Sequence, residues 1–257
     1  MVKPRISVVT PCLNQVRFVE RTICSVLDQG YAELEYIVVD RGSTDGSIEL
    51  IGLYENEFRY WFSGGHQNHA DAINRGVSRA SGDIVCVLGG DKLMLPGALD
   101  TVATLMGGEN GHPWLAGRCL RISEQDKITG CDDAMMPASL ASFFLQESGR
   151  LPSTATFYAR ECFDRWGPFA ADLPMACVFE FNCRLMAGGH RPRVIGTALA
   201  ARRTRSGTTA KHQGQARQIE QWQAAIRYAR LLPVAQRVKL WSNLQRAARE
   251  AGLPLVA

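Results

Sequence analysis

The sequence predicts an α/β fold in which a mostly parallel central sheet is covered by helices on both faces. Short runs rich in β-branched residues, such as Ile6–Thr10 and Tyr36–Asp40, are typical of buried strands. Helical patterns with one apolar stripe follow these runs and end at glycines such as Gly30 and Gly82. Strands that alternate with helices at this spacing indicate parallel strands joined by crossover helices.

The elements follow from the same signals, taken in chain order. Strands are predicted at Ile6–Thr10, Tyr36–Asp40, Phe58–Phe62, Asp83–Leu88, Trp114–Ile122 and Ser153–Tyr158. Helices are predicted around Phe18–Leu27 and at Ile48–Glu55, His69–Ala80, Pro137–Gln146, Phe179–Ala187, Gln215–Leu232 and Val234–Ala251. Asp45 is expected to cap the second helix, and Pro96 to begin a helix after the fourth strand.

Length and composition set the domain organisation. A chain of 257 residues suits one large α/β domain, or a core domain with an appendage. Its 46% hydrophobic and 21% charged residues are those of a globular protein rather than a disordered one. The pattern changes character after Gly207, so we predict a main domain over residues 1–207 and a helical appendage over residues 208–257.

The predicted appendage is basic. It holds eight Lys or Arg residues against Glu220 and Glu250, so the rest of the chain is slightly acidic. Apolar faces of its two amphipathic helices are formed by Trp222, Ile226, Leu231, Leu232, Val238 and Leu244. Two interpretations stay open: adsorption to an anionic membrane surface, and packing on the core or on a second copy, as a homodimer.

Partners and location follow from what the patterns exclude. The basic residues lack the interleaved aromatic residues of a nucleic-acid module, so no nucleic-acid partner is predicted. The sequence contains no signal-peptide pattern and no apolar stretch of membrane-spanning length. We therefore expect a cytoplasmic protein, with peripheral contact at the inner face of the membrane as the open alternative.

One end of the sheet is the predicted binding site. Ligands of open α/β sheets bind beyond the carboxyl ends of the strands. Thr10 and Pro11 end the first predicted strand, Asp40 ends the second, and Asp91 follows the fourth. The pattern alone therefore predicts that these residues converge on one cleft.

Several separate blocks resemble the family 2 glycosyltransferases. They are ISVVTPCLN (6–14), VVDRGSTDGS (38–47), DAINRG (71–76), SGDIVCVLGGDKLMLPGAL (81–99) and ATFYARECFDRWGPF (155–169). The order and spacing of the blocks carry the resemblance. It implies the GT-A nucleotide-sugar-binding fold, with residues 1–100 as the nucleotide-binding half and 101–207 as the acceptor half. It also implies inverting transfer of a hexose or related sugar from a nucleotide-diphosphate sugar to a glycan or lipid-linked glycan.

The resemblance also implies residue roles on the donor side. Thr10, Pro11 and Asp40 match positions that line the nucleoside pocket, and Asp71 matches another nucleotide-side carboxylate. Asp91 matches the aspartate of the family's D-x-D motif that reaches the metal and organises the diphosphate. Turn chemistry is the alternative for Asp40.

The D-x-D motif is degenerate in this chain, because acids that the family often has near Asp91 are missing. Gly89 and Lys92 stand beside Asp91 where the family often has acids. Val178 aligns with the usual catalytic base, whereas Glu180 matches a second acid and is our predicted base. Residues two apart on a helix point about 200° apart, so a structural role for Glu180 stays open, with Asp172 as the alternative base.

Positive charge is gained where acids are lost. Arg205 stands where the family often has the histidine of an Arg-x-His motif. Lys92 ends the loop of residues 88–92 that carries the degenerate D-x-D motif and is called here the motif loop. Opposite charges about 4 Å apart attract by about 4 kcal/mol at an effective dielectric of 20, enough to replace a cation in part. We hypothesise reduced dependence on a divalent cation such as Mn or Mg. Two alternatives stay open: Asp91 still binds the metal, or the protein binds nucleotide, glycan or a partner without turnover.

Overall fold

One sheet with helices on both faces organises the molecule. The computed structural model describes residues 3–65, 68–108, 111–146, 151–204 and 208–251, of which 208–213 by their backbone alone. The strands are β1 (Ile6–Cys12), β2 (Leu34–Asp40), β3 (Tyr60–Ser63), β4 (Ile84–Val87), β5 (Lys92–Met94), β6 (Trp114–Ile122), β7 (Ile128–Asp132), β8 (Thr156–Ala159) and β9 (Arg193–Arg203). The helices are α1 (Val19–Leu27), α2 (Ser47–Gly52), α3 (His69–Arg79), α4 (Ala98–Met106), α5 (Leu140–Phe144), α6 (Arg160–Trp166), α7 (Cys177–Ala187), α8 (Thr208–Arg227) and α9 (Val234–Glu250).

The sheet has a parallel part and a mixed part. The strand order is β3-β2-β1-β4-β8-β6-β9-β5, and β7 pairs with β6. The neighbours β3, β2, β1 and β4 are parallel. Beyond β4, β8 is antiparallel to both its neighbours and β5 is antiparallel to β9, whereas β6 and β9 are parallel. The predicted α/β class is confirmed, and the purely parallel pairing belongs to the first four strands of the chain.

Alternation along the strands builds a core on each face of the sheet. Val9 and Val39 point to one face, where they pack with Ile73 of α3. Val8 and Val38 point to the other face, which α1 and α4 cover. Because successive strand residues face opposite sides, a strand buried on both faces is mostly apolar, and every residue of Ile6–Cys12 is buried.

Some elements differ from the prediction. A short strand, β5 (Lys92–Met94), begins at the last residue of the predicted motif loop, and β5, β7, β9 and α6 were not predicted. The residue that caps α2 is Gly46, whose φ of 95° favours glycine; Asp45 instead accepts the N–H of Ser47 at 3.0 Å. Helix α4 begins at Ala98 after Gly97 rather than at Pro96.

The C-terminal helices pack on the acceptor half through one of their faces. Trp222, Leu240 and Leu244 are buried in the same core as Phe181 of α7. The Glu220 carboxylate of α8 accepts the N–H groups of Met175 at 2.7 Å and Ala176 at 3.0 Å, just before α7 begins. One apolar face of the two helices therefore packs on the core, which is one of the two interpretations given for the appendage. The domain boundary at residue 207 stays a prediction. None of the described helices combines the length and apolarity needed to cross a membrane.

Candidate active site

The motif loop lies directly against the end of β1. The carbonyl oxygen of Pro11 accepts the N–H of Gly90 at 3.0 Å, and that of Val9 accepts the N–H of Leu88 at 2.9 Å. A Cβ at Gly90 would lie only 3.3 Å from Sγ of Cys12, so the loop passes too closely for a larger residue to fit easily. These backbone bonds bring the ends of β1 and β4 together, as predicted from the strand pattern.

Thr10 and Pro11 lie in the last part of β1, next to this loop. Thr10 is buried, and its Oγ1 lies 3.1 Å from the hydroxyl oxygen of Tyr36. Pro11 contributes the carbonyl group that binds Gly90. Pro11 therefore supports the loop directly, and the predicted contact of both residues with a nucleoside stays a prediction.

Asp40 is fully buried at the end of β2. Its Oδ2 accepts the N–H groups of Gly42 at 2.8 Å and Ser43 at 2.9 Å, and the hydroxyl of Ser63 at 2.8 Å. Its Oδ1 accepts the Ser43 hydroxyl. Four internal donors occupy this carboxylate, as the turn alternative describes. Nucleoside binding by Asp40 stays a prediction, and the observed contacts fix the turn that carries Arg41.

Arg41 brings positive charge to the same edge. Its N–H donates to the carbonyl oxygen of Cys12 at 2.9 Å, which fixes its backbone beside the end of β1. Its side-chain Nε is buried and has no hydrogen-bond partner among the described residues. A buried guanidinium N–H without a partner is costly, and an anionic oxygen is the group that would satisfy it.

Asp91 and Lys92 form an ion pair inside the motif loop. The Lys92 Nζ lies 2.6 Å from Asp91 Oδ1, with the side chains 24% and 16% exposed. The loop is fixed from both sides, because the Lys92 N–H donates to the Gly89 carbonyl oxygen at 2.9 Å and the Lys92 carbonyl oxygen accepts the Thr22 hydroxyl at 2.7 Å. The acid predicted to bind a metal is therefore paired with an internal cation.

His69, in the first turn of α3, lies where several charges meet. Burial and, to a smaller extent, the positive charges of Arg41, Arg217 and Lys92 together lower its pKa to about 4, against the opposing charge of Asp91. These groups come from the β2–α2 turn, from α8 and from the motif loop. Three cations from three parts of the chain thus act on one neutral imidazole.

Asp71 also lies in the first turn of α3. Its N–H donates to Oδ1 of Asn68, the residue that caps the helix, at 3.0 Å. A carboxylate at this position interacts favourably with the helix dipole. The predicted contact of Asp71 with a nucleotide stays a prediction. Arg205 lies outside the described residues, so its predicted role stays a prediction.

A divalent cation would need several oxygen or nitrogen ligands in the cleft. Within the described parts of the chain, no group of three or more His, Cys, Asp or Glu side chains is placed to hold a metal ion. Asp91 is paired with Lys92. Hard cations such as Mg²⁺ need several oxygen ligands, so the described residues do not fit a protein-built site of that kind.

Glu180 lies in the first turn of α7 and is only 2% exposed. Its Oε2 accepts from Arg184 Nη2 at 2.5 Å, and its Oε1 accepts the Tyr228 hydroxyl at 2.5 Å. These bonds join α7 to the segment after α8, as the structural alternative describes. The predicted role of Glu180 as a base stays a prediction, and these contacts weigh against it, because a base must reach a substrate hydroxyl.

Asp172 is the more accessible carboxylate of the acceptor half. Its side chain is 68% exposed and pairs with Arg227. The preceding residue, Ala171, accepts a hydrogen bond at 2.9 Å from the side chain of Asn68, next to His69. Asp172 therefore lies on a segment that touches the N-terminus of α3, at the rim of the cleft.

A buried arginine near the motif loop was missed by sequence reasoning. The Arg203 side chain is 0% exposed, pairs with Asp126 and lies 4.6 Å from the centre of the Phe18 ring. Its Nε and Nη2 have no hydrogen-bond partner among the described residues. The run of arginines at 202–205 was visible in the sequence, but the distant partner Asp126 was not.

Comparisons with known proteins agree on one family. The family model "Glycosyl transferase family 2" matches residues 7–115. An uncharacterized glycosyltransferase of Mycobacterium tuberculosis is 29% identical over 185 residues, which cover 70% of this chain and 68% of the relative. The GalNAc(5)-diNAcBac-PP-undecaprenol beta-1,3-glucosyltransferase of Campylobacter jejuni is 28% identical over 121 residues, which cover 46% of this chain and 38% of the relative.

Solved structures share the fold at low identity. TarS 1-349 of S. aureus in complex with UDP-GlcNAc matches with a TM-score of 0.68 and 14% identity, covering 98% of this chain and 93% of that one. The mannosyltransferase PcManGT of Pyrobaculum calidifontis, in complex with GDP-Man and Mn2+, matches with a TM-score of 0.65 and 17% identity, covering 100% and 77%. The predicted GT-A fold is confirmed.

Proposed function

The chain belongs to the family 2 glycosyltransferases, and from this premise we propose how this glycosyltransferase binds its donor and what it glycosylates. The donor is a nucleotide-diphosphate sugar, and the acceptor is a glycan or a lipid-linked glycan. Transfer of a hexose proceeds with inversion. The undecaprenol-linked substrate in the name of the Campylobacter relative supports the acceptor class.

The Lys92–Asp91 ion pair is the observation that carries the proposal for the donor side. A transferase must stabilise the negative charge that develops on the leaving diphosphate. Here the motif loop supplies Lys92, and Arg41 adds a guanidinium whose buried Nε has no hydrogen-bond partner among the described residues. We infer that these cations take over part of the charge neutralisation that a divalent metal provides elsewhere. Arg205 is proposed as a further cation of this set.

Each donor-side residue then has a defined task in the proposal. Pro11 supports the loop through its carbonyl group, and Thr10 lines the nucleoside pocket beside it. Asp40 fixes the turn that carries Arg41, and Asp71 flanks the nucleotide from α3. Asp91 orients the Lys92 ammonium, so that a diphosphate oxygen can share it. If a metal is used, Asp91 is the residue proposed to hold it, at the cost of its bond to Lys92.

The acceptor hydroxyl needs a base that solvent and substrate can reach. We propose Asp172 for this task, because its side chain is 68% exposed and its segment touches α3 beside His69. We assign Glu180 a structural role, since its side chain is buried and accepts hydrogen bonds from Arg184 and Tyr228.

A donor screen tests the proposal. Thermal shift and release of free nucleoside diphosphate are measured for a panel of nucleotide sugars, each with manganese and with a chelator. We expect one donor class to raise the melting temperature and to release diphosphate when acceptor glycans are added, with most of the rate retained in chelator. Complete loss of release in chelator would overturn the cation proposal. Donor binding without release from any donor and acceptor pair would favour a binding protein without turnover.

A further inference from the structure

Helix α9 has two apolar faces, and only one of them is used for folding. Leu240, Leu244 and Ala248 recur every four residues and are buried against the core. A second row, Val234, Val238 and Trp241, is 70%, 60% and 44% exposed. With Leu231, which precedes the helix and is 48% exposed, this row is called here the outer stripe. Contiguous exposed apolar residues of this kind mark interaction surfaces.

Basic side chains accompany the outer stripe. Arg230, Lys239, Arg246 and Arg249 are all exposed, and Glu250 is the acid of the same segment. Successive helical residues turn by about 100°, so Arg249 returns to within about 20° of Val238, three turns further along. Arg246 lies about 80° from Val238 on the same count. One side of the helix therefore combines an apolar row, a tryptophan and positive charge.

From this juxtaposition we propose that the outer stripe and its arginines bind the surface of an anionic lipid bilayer. An amphipathic helix with a tryptophan on its apolar face and Lys or Arg on its polar face is suited to lie in the headgroup region. Each basic residue near such a surface is attracted by the negative lipid charge. A second copy of the chain fits less well, because its stripe would bring the same arginines against these ones.

The position of α9 suggests what membrane binding would do for the acceptor half. α8, which packs with α9, holds the segment before α7 through Glu220, and α7 belongs to the acceptor half. A bilayer bound at the outer stripe would hold the acceptor half at a fixed orientation to the membrane. This purpose rests on the proposed transfer to a lipid-linked glycan, whereas the lipid binding itself does not.

Vesicle sedimentation of the full chain tests the proposal. Vesicles of phosphatidylcholine alone are compared with vesicles that also contain phosphatidylglycerol. We expect binding to the anionic vesicles only. Val238→Glu should abolish it, and the double variant Arg246→Gln/Arg249→Gln should lower the partition coefficient by about fivefold for each arginine removed. Leu53→Glu is the matched control, since Leu53 is 78% exposed and lies at the end of α2; it should bind as the parent protein does.

Several results would overturn the proposal. One is parent protein that does not sediment with anionic vesicles, and another is equal loss of binding in Val238→Glu and Leu53→Glu. A third is a dimer, seen by light scattering, that Val238→Glu dissociates while vesicle binding is absent; the occupant would then be a second copy. Circular dichroism melts confirm that each variant is folded. Diphosphate release, measured without lipid on a soluble glycan, reports separately on the proposed transfer, so failure of one inference is distinguished from failure of the other.

Discussion

The ammonium nitrogen of Lys92 lies 2.6 Å from Oδ1 of Asp91 at the carboxyl end of the sheet. Lysine and aspartate are adjacent in sequence, and both side chains are largely shielded from solvent. An ion pair so placed keeps a positive charge beside the proposed position of the diphosphate, and it occupies the carboxylate that is predicted to bind a metal. The lysine thus adds a positive charge to the loop, and by pairing with Asp91 it makes that carboxylate a weaker ligand for a metal ion.

Removing the lysine should expose this double role. In Lys92→Ala, diphosphate release measured in chelator should fall at least tenfold, about 1.4 kcal/mol of lost transition-state stabilisation. Manganese should restore part of the rate, because Asp91 is released from its partner. Lys3→Ala is the control, because Lys3 also forms an ion pair, with Asp100 of α4, but lies before the start of β1 and so away from the carboxyl ends of the strands. Equal rates for Lys92→Ala and the parent protein in chelator would refute the cation role.

A second variant tests the metal side of the same idea. A Cβ at Gly89 would meet Asp91 Oδ1 at 3.5 Å and Lys92 Cγ at 3.7 Å, which are ordinary contacts, so a side chain fits there. In Gly89→Asp/Lys92→Ala, two carboxylates face each other, and manganese at 100 times its dissociation constant should add about 2.7 kcal/mol to the free energy of unfolding. Gly89→Asn/Lys92→Ala has nearly the same shape with one less charge. It should show little stabilisation, and an equal response in both would show that manganese binds elsewhere.

The two carboxylates of the acceptor half should respond differently to neutralisation. Asp172→Asn should abolish transfer to the acceptor while leaving the affinity for the donor and the melting temperature nearly unchanged, because Asp172 is exposed. Glu180→Gln should lower the melting temperature but retain transfer, since the amide can still accept the Tyr228 hydroxyl while Arg184 loses its charge partner. Glu180→Ala should cost about 3–5 kcal/mol of stability.

The opposite pattern would identify Glu180 as the base. In that case Glu180→Gln abolishes transfer without loss of stability, and Asp172→Asn transfers at the parent rate. Arg227→Gln, which removes the partner of Asp172, serves as control for the ion pair itself. It should leave transfer within a few-fold of the parent protein.

The sequence predicted the part of the fold that is built from local patterns. β1 and β2 were predicted because buried strands are mostly apolar and rich in β-branched residues, and the convergence of Pro11, Asp40 and Asp91 follows from parallel pairing. β9 was missed because its exposed and basic residues interrupt the apolar run, although it lies between β6 and β5. A strand that is defined by its neighbours has little signature of its own.

The contacts of the site were harder to predict, because they join residues far apart in sequence. Asp40 is predicted from its position at the end of a strand, yet one of its four hydrogen-bond donors is Ser63 on another strand. The bond between Glu180 and Tyr228 spans 48 residues. The positions of residues in the sequence identify the edge of the sheet where a cleft forms. They do not show that Glu180 is buried and Asp172 exposed, because this depends on how α7 packs against the C-terminal helices.

The protonation of His69 should appear in the pH dependence of stability. Its folded-state pKa, about 4, lies below its usual value of 6.5, so the folded protein binds fewer protons than the unfolded chain between these values. The free energy of unfolding therefore falls as the pH is lowered from 6.5, by at most about 1.4 kcal/mol per pH unit. The groups that face the imidazole are Arg41, Arg217, Lys92 and Asp91.

Urea unfolding of the parent protein and of His69→Gln, measured between pH 6.5 and about 5, isolates this contribution. In this window most carboxylates stay ionised, so the difference between the two slopes reports on His69. We expect the parent protein to lose stability more steeply than the variant. Identical slopes would mean that His69 titrates alike in the folded and unfolded chains, and the three cations would then not converge on it. A steeper loss in Lys92→Gln than in the parent protein would contradict the assigned charge effect, because removing a neighbouring cation should raise the pKa of His69 and flatten the slope.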